Sequence, residues 1–175
     1  ADVLGYPESY YSPPAEAIDE IQLLRGAASL QYGTQFGGLV NFILKSANKN
    51  KPFELITRNT YGSFNLYTNY TSVSLSQNKL KSFGFANYKK GDGFRENSEF
   101  SSLNLFLKNE YEINPKSIIS AEITLLKYLA KQAGGLTDQM FQENPFQSNR
   151  SRNWFEVDWL LYNVLYKHEF SKKST

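Results

Sequence analysis

Three arginines, Arg95, Arg150 and Arg152, fall in segments rich in glycine, asparagine and serine. A guanidinium on a loop suits capture of a carboxylate-bearing anion, because its planar fork matches carboxylate geometry. The same side chains serve equally as solvated charges or as contacts to lipid phosphates. Groups suited to covalent or metal chemistry are few. His168 is the only histidine and cannot form a metal cluster alone. Asp138, Glu143, Glu156 and Asp158 lack the spacing of a paired acid–base site. The absence of cysteine removes disulfides, thiolate catalysis and cysteine-ligated metals. A net charge of +2 is too small to point to nucleic acid. The chemistry expected is therefore recognition without catalysis: no enzyme, no metal site and no cofactor.

The elements that would carry these residues are strands. Ile18–Leu24 and Leu39–Leu44 read as two short strands, the second apolar enough to be buried on both faces. Residues 27–32 have room for one helical turn between glycines. Residues 1–17, with Tyr6, Tyr10 and Tyr11 among prolines, read as irregular. Residues 46–52 (SANKNKP) are polar, basic and closed by proline, which marks a linker. Six strands are then expected at 53–61, 64–76, 80–90, 101–113, 118–131 and 154–170. Residues 134–153 read as one long polar loop. In 101–113, Leu103, Leu105, Leu107, Asn109, Tyr111 and Ile113 share one face; Asn104, Lys108, Glu110 and Glu112 dominate the other, with Phe106 as the exception.

These strands exceed the globular average of about 5–6 residues and match tilted membrane strands of about 9–11. Their connections alternate short (near Asn78 and Asn114) and long (91–99 and 134–153). Transmembrane β-barrels show this asymmetry, with short periplasmic turns and longer external loops. Aromatic residues make up 15% of the chain, a share that suits strands meeting a lipid–water boundary and also a soluble sandwich. Trp154, Trp159 and Tyr162 fit a membrane girdle or, alternatively, a packed core. No apolar run approaches the roughly 20 residues of a membrane helix, and no signal peptide is evident at Ala1.

The segment between the first two strands carries a more specific pattern. Glu20-Ile21, Arg25-Gly26, Tyr32-Gly33 and Gly37-Gly38-Leu39-Val40-Asn41 occur in that order. This order resembles the C-terminal part of the plug domain of TonB-dependent outer-membrane receptors. A second set narrows the likeness: Gly134-Gly135-Leu136-Thr137-Asp138, Asn144-Pro145 and Asn153-Trp154-Phe155 are similar to an external loop of ferric citrate receptors. Tyr10-Tyr11-Ser12-Pro13-Pro14 and Ala28-Ser29-Leu30-Gln31-Tyr32-Gly33 fit the same subgroup.

The resemblance implies a mostly β fold, part of a plugged antiparallel barrel of about 22 strands. Residues 1–45 would close the plug, 46–52 would link, and 53–175 would begin the barrel. The chain is then expected to be a fragment, with its TonB-contacting segment upstream of Ala1. It would sit in the outer membrane of a Gram-negative bacterium, among lipid and lipopolysaccharide. There it would import a ferric chelate, ferric citrate first, driven by TonB and its inner-membrane motor. Thr34 and Gln35 would lie on a plug loop facing the ligand, with Arg95, Arg150 and Arg152 as external donors. Glu20 and Arg25 would anchor plug to barrel wall. Rival readings are an importer of another siderophore, haem or oligosaccharide, a non-transporting receptor or porin, and a secreted glycan-binding sandwich.

Overall fold

The computed structural model describes residues 12–26 and 38–170, which fall in two compact units, residues 1–45 and 46–175. Both are built from antiparallel strands, and the chain is mostly β.

In the first unit, a 3-10 turn at Ala15–Ala17 leads into β1 (Ile18–Leu24), which pairs with β2 (Leu39–Leu44). Lys45 N–H donates to Ala17 O at 2.8 Å, closing the base of the pair. Gly38 starts β2 with φ +98°, and a Cβ there would stand 2.6 Å from Leu24 O. Only glycine fits that approach. The expectation that β2 is buried on both faces fails within this unit. Its residues are half-buried, Val40 is exposed, and a two-stranded sheet has too little surface to cover either face. The helical turn expected at 27–32, and Tyr6, Tyr10 and Tyr11, lie outside the described residues.

The second unit is a six-stranded meander in sequence order: β3 (Phe53–Tyr61), β4 (Tyr67–Gln77), β5 (Leu80–Gly91), β6 (Phe100–Asn114), β7 (Ser117–Lys131) and β8 (Trp154–His168). The last three have 15 residues each, far beyond the globular average. Register runs unbroken except for an irregularity at Glu112/Asn114. Short turns at 78–79 and 115–116 occupy one end, with Asn78 supplying a left-handed φ of 48°. The longer connections 62–66, 92–99 and 132–153 share the other end. No helix among the described residues is long and apolar enough to cross a membrane, which leaves strands as an open route.

Several boundaries shift from those expected. β4 begins at Tyr67 because Phe64 and Asn65 take left-handed φ angles of 57° and 54°, which no strand accommodates. β8 stops at His168. The long loop contains a short helix, α1 (Asp138–Glu143), capped by Thr137 Oγ1 accepting from Met140 N–H. Residues 46–52 are not a free tether. Ala47 is buried, Asn48 N–H donates to Ser74 Oγ at 2.8 Å, and Ser76 N–H donates to Pro52 O at 2.9 Å.

The two faces of this sheet divide sharply. One face encloses an aromatic row: Tyr70, Phe85 and Phe106, with centroid spacings of 5.8 Å and 5.5 Å. Buried Ser72, Ser74, Asn87 and Asn104 lie on the same face. So does Lys108, held between Glu122 (3.0 Å) and Glu110 (3.6 Å). The other face carries Val73, Leu105, Leu107, Ile123, Leu160 and Tyr162, all exposed. The apolar face expected of 101–113 is thus the open one. Its few polar groups away from the loop end are tied to one another, as in Ser82 Oγ to Asn109 Oδ1 at 2.6 Å.

Candidate functional site

The three longer connections meet at one end of the sheet, and two side chains knit them together. Arg95, in the β5–β6 connection, spends its guanidinium on the β7–β8 loop. Nε and Nη2 donate to Gln147 O at 3.1 and 2.9 Å, and Nη1 donates to Gly134 O at 2.8 Å. Asn97, at φ 52°, points its Nδ2 at three carbonyls, those of Gln132, Arg150 and Asn153. An amide tolerates this left-handed backbone better than most side chains. The rings of Phe64, Phe94 and Phe146 link the three connections edge to face, at 6.5 and 6.4 Å. Gly134 at φ +76° completes the fit, since a Cβ there would lie 2.5 Å from Arg150 Cγ.

The sequence-derived candidates separate on this scaffold. Arg95 acts as a clamp between loops, with its donors facing protein carbonyls. Arg150 and Arg152 are exposed, and their guanidinium groups have no hydrogen-bond or ion-pair partner among the described residues. The backbone of Arg150 is pinned by Ser148 Oγ, which accepts its N–H at 3.1 Å, and by the Asn97 amide on its carbonyl. Its charge therefore projects from an ordered stem, an arrangement that can bind a polycarboxylate with little loss of loop entropy. Glu20 accepts from Gln22 Nε2 at 3.0 Å, Arg25 is exposed just beyond β1, and no ion pair joins them. Thr34 and Gln35 lie outside the described residues.

Two further charge features sit beside the loops. Lys131 Nζ lies 3.1 Å from Glu99 Oε1. The Glu99 carboxyl is held below its ordinary range, chiefly by its own backbone N–H and then by the Lys131 ammonium, against a desolvation that opposes both. On the exposed face at the same end, a groove of about 760 Å³ is lined by Tyr61, Tyr67, Tyr88, Lys90 and Leu129 among others. Neither feature carries a local sequence signature; both arise from residues that register brings together.

At the opposite end, His168 Nδ1 lies 2.8 Å from Ser117 Oγ. The pair has the look of a nucleophile and its base, but Ser117 is only 2% exposed and Tyr166 crowds it at 3.4 Å. A substrate cannot reach that hydroxyl, so the contact is a latch between β7 and β8. Among the described residues no group of three His, Cys, Asp or Glu side chains converges as a metal site. No family model matches the chain, and no curated protein matches it either.

Proposed function

We propose that this chain is part of a TonB-dependent outer-membrane transporter that imports a ferric chelate, with ferric citrate as the first candidate. The observation that carries the reading is the inverted alternation of the six-stranded sheet. In a soluble half-buried sheet the apolar face is covered and the polar face meets water. Here one aliphatic face is open, while the enclosed one mixes aromatic rings, Leu126 and Val157 with serines, asparagines and a Lys–Glu cluster. A lipid-facing exterior with a polar interior accounts for that inversion. Strand length and the gathering of long loops at one end support the same reading.

In this mechanism no bond is made or broken by the protein. Arg150 and Arg152, carried on the loops that Arg95 and Asn97 order, meet the carboxylates of the chelate. On this reading residues 1–45 belong to the plug. The inner-membrane motor acts through TonB to remodel the plug, and lower affinity in the remodelled state releases the ligand inward.

The test is fractionation followed by titration. The intact protein is expected in outer-membrane fractions, monodisperse only in detergent, and binding ferric citrate by calorimetry. A protein monodisperse in plain buffer and absent from those fractions would refute the membrane reading. Heat with another chelate and none with ferric citrate would refute the narrower substrate. Growth on ferric citrate that survives loss of TonB would refute active transport.

A further inference from the structure

We infer that the outward face of β3 and β4 pairs with the same face of a second copy of this chain in the plane of the membrane, an inference that rests on the outer-membrane reading. Thr57 and Asn59 on β3 lie opposite Thr71 and Asn69 on β4, and together they make a polar block on that face. The row of Thr57 and Thr71 continues across the next four strands as Ala86, Leu105, Leu125 and Leu160. On the turn side the block is bordered by Leu55 and Val73, and on the loop side by Tyr61 and Tyr67. Leu55, Val73 and Tyr61 are exposed. The block is therefore an uncharged polar island with an apolar rim. Hydrocarbon offers such groups no partner, whereas an adjoining protein surface does.

The hydrogen bonds inside the island run in one direction and then stop. Thr71 Oγ1 donates to Asn69 Oδ1 at 3.3 Å, so Thr57 is the donor in its 3.1 Å contact with Thr71. Asn69 Nδ2 donates to Asn59 Oδ1 at 2.9 Å, and the Tyr67 hydroxyl fills the second lone pair of that oxygen at 3.2 Å. Two capacities are left over. Asn59 Nδ2 has no partner among the described residues, and Asn69 Oδ1 keeps one lone pair. This donor and this acceptor stand side by side on paired strands. A two-fold axis along the membrane normal, passing between them, sets each copy's Asn59 amide against the other copy's Asn69 carbonyl, and does so twice. A partner of different sequence would have to supply both groups at the same spacing, whereas a second copy supplies them by symmetry. The internal bonds fix the side chains before association, and the apolar rim shields the new bonds from lipid.

The test is disulfide trapping in lipid vesicles. Differently tagged Asn59→Cys and Asn69→Cys variants of the full-length protein are reconstituted together and oxidised; the chain holds no cysteine of its own to compete. A disulfide-linked heterodimer is expected. A pair of Leu160→Cys variants, on the same face four strands away, should give none. Asn59→Leu suits a lipid-facing position and should fold, yet it should raise the dissociation constant for self-association at least about tenfold, read by dilution with lipid. No trapped heterodimer would overturn the inference, as would equal trapping of the Leu160→Cys pair, or Asn59→Leu associating like the wild type. A receptor that is in the outer membrane and stays monomeric overturns this inference alone. One that needs no detergent overturns the membrane reading beneath it.

Discussion

The two faces of the six-stranded sheet are built from the same strands in the same register, yet they solve opposite problems. Across one row, Ser72, Phe85, Phe106 and Thr124 face inward, with Phe106 8% exposed. Across the neighbouring row, Val73, Gly84, Leu107, Ile123 and Tyr162 face outward, with Leu107 44% and Tyr162 81% exposed. Water would penalise the second arrangement, because uncovered aliphatic surface costs about 25 cal/mol per Å². The difference is the one that the proposed lipid-facing exterior requires, and it is where that proposal is most exposed to test. The inward face combines ring stacking, with Phe85 and Phe106 5.5 Å apart, with hydroxyls, amides and the Lys108–Glu122 pair.

The largest expected effect breaks the inward face. Phe106→Ala removes a ring stacked 5.5 Å from Phe85, and should cost about 3–5 kcal/mol in denaturant unfolding of the full protein from lipid vesicles. A loss below about 1 kcal/mol would show that the inward aromatics are not a packed unit. The next effect tests the outward face directly. Leu107→Arg places a charge beside Gly84, where an added Cβ would stand only 3.2 Å from Leu107 Cδ1. If that face meets hydrocarbon, the variant should lose about 2–4 kcal/mol in vesicles. If it meets water, the change should stay within about 0.5 kcal/mol, and the contrast between the faces would collapse.

A smaller effect concerns where the contrast ends, at the loops. Arg95→Ala removes charge-assisted bonds to the carbonyls of Gly134 and Gln147. Such bonds contribute about 1.5–3 kcal/mol, which should speed exchange of the Glu96 amide, bonded to Phe146 O, by about 10- to 100-fold. Global unfolding should not move, since loops open locally. An unchanged exchange rate together with lost ferric citrate binding would instead make Arg95 a ligand donor.

Much of this contrast is legible in the sequence. Leu103 to Ile113 alternates, Phe106 apart, so that strand and faces follow from a period of two. Which face is enclosed does not follow, because alternation fixes the pattern and says nothing of the surrounding medium. Phe64 is opaque for another reason: nothing in a phenylalanine codes for a left-handed φ, and the Asp92 N–H that its carbonyl accepts at 2.9 Å comes from a neighbouring connection. α1 hides because its cap, Thr137, sits between Gly134-Gly135 and Asn144-Pro145, all of them loop signals. Arg95 reads as a free loop cation because its acceptors are 39 and 52 residues away in the chain. Residues 46–52 look like a tether by composition, yet Asn48 finds its partner on β4.

The smallest effect lies on the outward face where charge returns. Lys131 continues the outward row of β7 but is tied to Glu99, and Lys127 is tied to Asp158 at 3.5 Å. The Glu99 carboxyl sits below its ordinary range, so its charged form is favoured by folding. Its stabilising contribution is therefore complete above the unfolded value of about 4.3, and it disappears as pH falls through the lower folded value. Glu99→Gln should destabilise the loop end by no more than about 1 kcal/mol at neutral pH, because exposed pairs contribute little. Exchange of the Lys131 amide, which donates to Glu99 O at 2.8 Å, reports on that end directly. Wild-type and variant rates should differ at pH 6 and converge only once the pH has fallen below the lowered value of the folded carboxyl. A difference that persists unchanged into acid would show that the carboxylate charge plays no part, and that the outward face ends on backbone hydrogen bonds alone.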